Sequence, residues 1–366
     1  MDINSLWRSY NRLLFKVGGG RNRFISGYYK GFDKKSLTKE QLEQIQDYWI
    51  PLYGKNVRPD WHQLLYSLSG FFTPSYMPLE VYSDLITYWV PSYKVMAFFD
   101  DKNLYRYLFN GFRMPKRVVE CCNGVFYLPQ LSDVEVPIQD VLEYCHNLTN
   151  CIIKPSKESS AGIGVKSFDV IEGLMKDGRG VKECFQSYHQ NFVIEQKIQE
   201  NNNLHQLNPS SCNSLRIHTW RNESSQKVEY VSSYVRIGRE GKIIDNASSG
   251  GITCQVLSDG VLANNACTVS HYSIVNETDS GIKLSGYTID RFRDMVDTAI
   301  RAHSRIPYFG LIGWDICVDS EDEPMIIEYN PNPDLRIEQL VFKDSCLIDK
   351  NIEILHQVFK NGKKKR

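Results

Sequence analysis

The sequence has 366 residues, long enough for two or three domains, and its 42% hydrophobic and 12% aromatic content is typical of a globular protein with a packed core. Its 43 basic and 43 acidic residues cancel, so no net charge favours a nucleic-acid partner. No apolar run reaches the ~18 residues that cross a bilayer, and the first residues lack the apolar stretch of a signal peptide, so we expect no transmembrane segment.

Residues 1–95 are predicted to be mainly helical. The segment LTKEQLEQIQDYWIPLY repeats apolar residues at helical spacing, at Leu37, Leu42, Ile45 and Trp49. Ser36 or Thr38 is a candidate cap for its start, and Pro51 is expected to end it. A further helix is predicted from Leu79 to Trp89.

Between residues 95 and 150 the pattern predicts alternating short elements. VMAFFDDKNLYRYLFNGFRMPK indicates a short strand, a polar turn and then a helix whose apolar face holds Leu104, Leu108 and Phe109. A strand is expected from Val118 to Tyr127, and a helix around residues 136–147.

The segment CIIKPSKESSAGIGV offers groups that are suited to binding phosphate. Lys154 ends an apolar strand, which holds its ammonium at the strand's mouth. The serines and glycines that follow, including Ser159, Ser160 and Gly162, can close backbone N–H groups and hydroxyls over phosphate oxygens. The alternative is a plain hairpin with a polar tip. No GxxxxGK[ST] pattern is present, so this is not a P-loop.

Three strand patterns carry charged residues. FVIEQKI is an apolar strand that contains Glu195, and the polar segment NNNLHQLNPSS after it indicates a domain boundary. SLRIHTW and SYVRIGR place Arg216 and Arg236 on strands, where guanidinium groups suit phosphate or carboxylate. Either arginine could instead be a cross-strand ion-pair partner, and His218 reads as a packed histidine rather than a general base.

The stretch GLIGWDICVDSEDEPMIIEYNPNPDLRIEQ predicts a hairpin with an acidic turn. Asp315 lies in its first strand, and Glu328 and Asn330 lie two residues apart at the end of its second, on one face. Buried carboxylates need a counter-charge or a cation, and oxygen ligands favour Mg²⁺. The alternative is a hairpin whose acids face water. Helices are predicted at 288–303 and from about 348 to 359.

This hairpin, together with CIIKPSKESSAGIGVKS (151–167) and FVIEQKI (192–198) in that order, resembles the ATP-grasp enzymes. LNPSSCNSLRIHT (207–219) and SYVRIGREGKIIDNASSGGI (233–252) are similar to the sugar-transfer-associated ATP-grasp family of bacterial polysaccharide gene clusters. The resemblance covers roughly residues 100–340. Many ATP-grasp enzymes begin with an open parallel α/β domain, and the helical N-terminal region departs from that pattern.

The resemblance implies an α+β protein with the ATP-grasp fold, in which two α+β subdomains clasp ATP behind a mainly helical N-terminal region. The implied boundaries are 1–95 for the helical region, 96–200 for the small subdomain and 201–366 for the large subdomain with the metal site. The resemblance also implies ATP and Mg²⁺ as cofactors.

The same resemblance assigns expected roles to residues. Arg106, Lys154, Ser159, Ser160 and Gly162 would contact the phosphates. Glu195 would accept from the adenine amino group, with backbone contacts from Gln196, Lys197 and Ile198. Arg216 and Arg236 would neutralise the transferred phosphate, and Asp315, Glu328 and Asn330 would hold Mg²⁺.

The implied activity is an ATP-dependent carboxylate–amine ligase that acts through an acylphosphate on a sugar acid or polysaccharide precursor. A kinase acting on a sugar or polyol hydroxyl, and a non-catalytic nucleotide-binding subunit, are the alternatives. Ten cysteines without CxxC pairs indicate reduced thiols and a cytoplasmic location. The terminal GKKKR reads as a solvated tail or a weak membrane-surface contact, and nothing in the sequence indicates the oligomeric state.

Overall fold

A computed structural model describes residues 33–89, 93–157, 162–200, 202–243, 245, 247, 250–269, 272–335, 338–344 and 350–361. The predicted phosphate-contacting residues Ser159 and Ser160 lie outside this part of the chain. Among the described helices, none is both long and apolar enough to cross a membrane.

The N-terminal region is helical, as predicted, with α1 at Lys39–Tyr53, α2 at Asp60–Ser69 and α3 at Leu79–Trp89. Thr38 caps α1: its hydroxyl accepts from the Gln41 N–H at 3.2 Å, and the Gln41 side chain accepts from the Thr38 N–H at 2.9 Å. The prediction that α1 ends at Pro51 is wrong. Pro51 lies inside the helix, which loses one intrahelical bond there but continues to Tyr53. Gly54, which has a φ of 81°, forms the C-cap.

The segment after α3 was predicted to contain a strand, but it forms helix α4 at Tyr93–Phe99. Short apolar runs do not distinguish a strand from a buried helix. Here the backbone bonds within the run, with the Asp100 N–H 2.9 Å from the Met96 carbonyl oxygen, and Phe99 packs edge-on against Phe309. A 3₁₀ turn at Lys102–Leu104 and the short helix α5 at Tyr105–Leu108 follow.

The next elements build a six-stranded antiparallel sheet, the small sheet. In chain order they are β1 Arg117–Cys122, β2 Val125–Leu128, β3 Ser132–Val136, α6 Ile138–Tyr144, β4 Cys151–Pro155, β5 Lys166–Phe168, β6 Val170–Ile171, β7 Leu174–Met175, α7 Val181–Ser187 and β8 Asn191–Gln196. The strand order is β3-β2-β1-β8-β4-β5, while β6 and β7 pair separately. The single strand predicted at 118–127 is in fact a hairpin, because Asn123 and Gly124 both have positive φ and reverse the chain.

The remaining elements build a seven-stranded antiparallel sheet, the large sheet. In chain order they are α8 Asn203–Gln206, β9 Ser214–Arg221, β10 Val228–Ile237, β11 Ile252–Val256, β12 Leu262–Thr268, β13 Ser273–Val275, α9 Phe292–Ser304, β14 Leu311–Val318, β15 Pro324–Asn330, α10 Gln339–Phe342 and α11 Asn351–His356. The strand order is β13-β12-β11-β10-β9-β14-β15.

The large sheet is covered on both faces. Val235 shares a buried cluster with Met295 of α9, whereas the preceding residue, Tyr234, shares one with Trp49 and Trp89 of the N-terminal helices. Successive residues of a strand point to opposite faces, so α9 and the N-terminal helices lie on opposite sides of the sheet. Burying each large apolar side chain contributes about 1.5–3 kcal/mol, which fixes the sheet between them.

Candidate functional site

Four neighbouring strands of the large sheet carry a row of charged residues. Arg216 on β9 lies opposite Asp315 on β14, and Asp315 lies opposite Glu328 on β15. Arg236 lies two residues along β10 from Tyr234, the cross-strand partner of Arg216, and therefore on the same face. Asn330 continues this face on β15, opposite Gly313. The strand pairing thus brings together all five large-sheet residues that the sequence selected.

Asp315 is buried between two arginines. Arg216 donates to both of its oxygens, from Nε at 2.5 Å and from Nη2 at 3.1 Å, and Nη2 of Arg236 lies 2.9 Å from Oδ2. Burial alone would raise the pKa of Asp315, but the two guanidinium groups outweigh it and hold that pKa below its usual range. The site therefore keeps an ionised carboxylate in a dry environment.

Arg236 is held by a second acidic group. Its Nη2 donates to Ser214 Oγ at 2.8 Å, and its Nε lies 3.6 Å from Asp245 Oδ2. Ser214 in turn donates to Asp245. Burial raises the pKa of Asp245, and Arg236 opposes that rise.

Gly313 allows Arg216 to lie flat along the sheet. A Cβ at this position would stand 3.1 Å from Arg216 Cδ and 3.0 Å from Pro333 Cβ. These contacts are tighter than side chains normally make, so any larger residue would displace the arginine.

The small sheet carries a buried charged group of its own, formed by Lys154, Arg117 and Glu195. Lys154 on β4 places Nζ 2.6 Å from Glu195 Oε2, and Arg117 on β1 places Nη2 3.3 Å from Glu195 Oε1. Burial would raise the pKa of Glu195, but Lys154 and then Arg117 outweigh burial, so the pKa lies below its usual value. The Glu195 carboxylate is thus paired with two cations and almost fully enclosed, and its expected contact with the adenine amino group stays a prediction.

Lys102 links the two sheets, and no sequence pattern had indicated this role. Its N–H donates to the Ser156 carbonyl at 2.8 Å, and its carbonyl accepts from the Arg117 side chain at 3.0 Å, so its backbone is anchored beside the small sheet. Its side chain is 3% exposed and places Nζ 3.0 Å from Glu328 Oε1 on the large sheet. The available signal was the Asp-Asp-Lys turn, which suggested solvent exposure, whereas a lysine is rarely buried unless it is paired.

Arg106 extends this charged group at its edge. Its Nε lies 3.3 Å from Glu120 Oε2, and Glu120 Oε1 lies 3.5 Å from Arg117 Nε. Its Nη2 also donates to the Tyr107 hydroxyl at 2.6 Å.

The other predicted nucleotide contacts lie at the margin of this group. Gln196 ends β8 and is exposed, and Ile198 is half-buried. Lys197 turns away and pairs with Asp169, with 3.1 Å between Nζ and Oδ2. Gly162 has a φ of 73°, which glycine adopts without strain, and its carbonyl accepts from the Val165 N–H.

Asp315, Glu328 and Asn330 together offer two carboxylates and an amide on one face. Oxygen ligands of this kind suit Mg²⁺ better than transition metals. The buried Nδ2 of Asn330 makes no hydrogen bond to another described residue, so no such bond at Nδ2 fixes the orientation of the amide. The donor set therefore fits a magnesium ion.

Two antiparallel sheets that face each other across buried cations and carboxylates define the ATP-grasp fold. The chain belongs to the sugar-transfer associated ATP-grasp family, whose model matches residues 85–353. The family and fold predicted from the sequence are thereby confirmed.

Solved structures similar to this chain are ATP-grasp enzymes. N5-carboxyaminoimidazole synthase from Aspergillus clavatus, in complex with ADP and 5-aminoimidazole ribonucleotide, matches with a TM-score of 0.37 and 10% identity over 66% of this chain and 47% of that chain. L-amino acid ligase from Bacillus licheniformis matches with a TM-score of 0.36 and 13% identity over 69% and 48%.

A third structure, the ATP-grasp ligase PsnB complexed with minimal precursor, Mg and ADP, matches with a TM-score of 0.38 and 12% identity over 72% and 60%. The chain spans about half the length of the first of these structures. No curated protein matches the sequence significantly.

Proposed function

We propose that this protein is an ATP-dependent, Mg²⁺-requiring ligase that joins a carboxylate to an amine through an acylphosphate. The observation that carries the proposal is Asp315, which is paired with Arg216 and Arg236 and lies beside Glu328, the partner of Lys102. This arrangement combines a cation-binding pair of carboxylates with several cations suited to phosphate.

ATP binding would exchange partners within the site. Lys102, Lys154 and the two arginines would pair with phosphate oxygens. Glu328 and Asp315, released by Lys102 and the arginines, would hold Mg²⁺ with Asn330, while Glu195 would keep its pairing with Arg117. The metal, when bound, would neutralise part of the phosphate charge. Every buried charge keeps an opposite partner before and after the exchange, so it avoids the several kcal/mol that an uncompensated buried charge costs.

Arg216 and Arg236 are placed to act during transfer. The substrate carboxylate attacks the γ-phosphorus, the bond to the β-phosphate oxygen breaks, and ADP leaves. The guanidinium forks hold the transferring phosphoryl oxygens. An amine nitrogen then attacks the acyl carbon, phosphate departs with the bonding electrons, and the amine gives up a proton. Exclusion of water between the sheets would protect the acylphosphate from hydrolysis.

The family description supports a sugar acid or polysaccharide precursor as the carboxylate substrate, with an amino acid or simple amine as its partner. This step rests on the family's association with sugar transfer, because fold alone does not define a substrate. The described cysteines are all unpaired, which is consistent with a cytoplasmic enzyme.

The test is mass spectrometry of the protein incubated with Mg-ATP, a pool of uronic acids and their nucleotide sugars, and a pool of amino acids. We expect a new species heavier by one amino acid minus water, formed together with ADP. A phosphate-sized increase would indicate a kinase instead, and bound but unchanged ATP would indicate a regulatory protein.

A variant links this activity to the site. Glu328→Gln should abolish turnover while leaving nucleotide binding in the absence of metal largely intact, because it removes a metal ligand. Glu323→Gln is the matched control on the same hairpin, since Glu323 is exposed in the turn. Undiminished ADP release by Glu328→Gln would disprove the metal assignment.

A further inference from the structure

Three side chains from distant segments meet beside the charged row, further along β14. Glu200 follows β8, Cys212 precedes β9, and Cys317 lies on β14 two residues beyond Asp315. Both sulfur atoms and a carboxylate oxygen of Glu200 lie within 4.8 Å of one another. Cys317 is fully buried and the Glu200 side chain is 2% exposed, so this is an interior cluster.

Glu200 and Cys212 form a side-chain hydrogen bond within this cluster, but two of its polar atoms have no hydrogen-bond partner among the described residues. Oε1 of Glu200 and Nδ1 of His205 are buried and make no hydrogen bond to any described residue. The same Nδ1 lies 3.6 Å from the other carboxylate oxygen, Oε2. Buried polar atoms are nearly always bonded, and leaving one unbonded costs about 1–3 kcal/mol. A bound cation would satisfy both atoms at once.

We propose that Cys212, Cys317 and Glu200 bind a thiophilic divalent cation of the zinc class. His205, whose Nδ1 lies 3.6 Å from Glu200 Oε2 but outside the three-residue group, would turn towards the ion to serve as the fourth ligand. Zinc bonds of about 2.0–2.3 Å place tetrahedral ligand atoms about 3.3–3.8 Å apart. The three ligand atoms lie within 4.8 Å of one another, so any pair further apart than this tetrahedral spacing would draw together when the ion binds. Binding converts both thiols to thiolates, and their two protons pass to solvent.

This site is chemically separate from the magnesium site. Thiolate and imidazole ligands select zinc, whereas Mg²⁺ takes oxygen ligands almost exclusively. The ion would also tie the segment after β8, which leaves the small sheet, to β14, which carries Asp315. It would therefore restrain the connection between the two sheets whether or not nucleotide is bound.

The sequence did not reveal this cluster, because its ligands have no recognisable spacing. Zinc sites are usually recognised from CxxC or closely spaced histidine patterns. Here most of the large-sheet strands lie between the two cysteines in the sequence. The cysteines come together in space because β9 pairs with β14.

The test is titration of the full-length, reduced and metal-free protein with Co²⁺, followed by displacement with Zn²⁺. We expect stoichiometric Co²⁺ binding with a sulfur-to-cobalt charge-transfer absorption in the near ultraviolet, and loss of that absorption when Zn²⁺ is added. Cys317→Ser and Cys212→Ser should each weaken the absorption strongly. Asp315→Asn should retain it, because Asp315 belongs to the other site.

Cys254→Ser is the matched control, since Cys254 is equally buried but lies on β11 away from the cluster. It should keep the full absorption, and thermal unfolding of each variant confirms that it is folded. Absence of the charge-transfer band in the reduced wild-type protein would overturn the proposal. So would an undiminished band in folded Cys317→Ser.

Discussion

Asp315 shows how single residues set the chemistry of the site. A buried carboxylate is tolerated because Arg216 contacts it with two nitrogens and Arg236 with a third. Such a buried network adds little net stability, but it fixes side-chain positions. Removing one member destabilises the protein strongly, because it leaves a buried charge unpaired. The planar fork of Arg216 matters as much as its charge, because a lysine cannot form two parallel bonds.

Arg216→Lys should therefore impair turnover while keeping the charge. We expect kcat to fall by about 10²–10³-fold, the usual effect of removing a donor that stabilises developing charge. ADP release at saturating ATP is the measurement. The matched control is Arg239→Lys, because Arg239 is half-buried and pairs with Asp279 instead of Asp315. A kcat for Arg216→Lys equal to that of the control would contradict the proposed role.

The sequence predicted part of the site at this scale. Arg216, Arg236 and Asp315 were found because each is a charged residue within an apolar strand, a pattern visible in one dimension. Lys102 was not assigned a role, and Glu200 was considered only as one of three candidate ribose contacts, because their burial depends on segments far away along the chain. Residue type and spacing reveal a strand's own face, whereas contacts between distant segments require the fold.

At the scale of elements, the contact between α3 and β14 positions the helical region. Gly310 precedes β14, and a Cβ there would stand 2.1 Å from Trp89 Cδ1. The Gly310 N–H also donates to the Trp89 carbonyl at 3.3 Å. The absence of a side chain at Gly310 therefore lets the last turn of α3 sit directly on the start of the strand that carries Asp315.

Gly310→Ala should destabilise the protein. Overpacking of this kind typically costs about 1–3 kcal/mol, because the indole or the strand must move. The measurement is the midpoint of thermal or urea unfolding. Gly180→Ala is the control, since its added Cβ would meet nothing within 4 Å and its φ is negative. Equal midpoints for the two variants would show that α3 shifts without strain.

Element prediction succeeded where local chemistry decides and failed where tertiary contacts do. Thr38 caps α1 as expected, because a capping box is a local interaction. The strand predicted near residue 95 is a helix, because packing against Phe309 decided the conformation of a short apolar run. The turn at Asn123-Gly124 was readable in principle, since this dipeptide favours a hairpin.

For the whole molecule, Glu338 connects the helical region, the large sheet and the site. It precedes α10, and Tyr234 of β10 donates to its Oε1 at 2.6 Å. The adjacent Gln339 accepts from the Met77 N–H at 2.6 Å, which links this segment to the loop before α3. Burial raises the pKa of Glu338 to about 8, even though Arg216 opposes the rise.

This raised pKa predicts the direction of the pH dependence of stability. The folded protein binds the Glu338 proton more tightly than the unfolded chain, in which the pKa is near its ordinary value of 4.5. The stabilisation is therefore complete below about pH 4.5 and is lost as pH rises towards 8. Within that window the free energy of unfolding should fall by up to about 1.4 kcal/mol per pH unit from this group.

Glu338→Gln should flatten this dependence, because glutamine has no proton to lose. We expect the unfolding midpoint of the wild-type protein to fall more steeply between pH 5 and pH 8 than that of the variant, as measured by thermal unfolding in matched buffers. Glu277→Gln, at an exposed position, controls for the change of net charge and should keep the wild-type slope. Parallel slopes for Glu338→Gln and wild type would show that Glu338 is ionised in the folded protein, held so by Arg216.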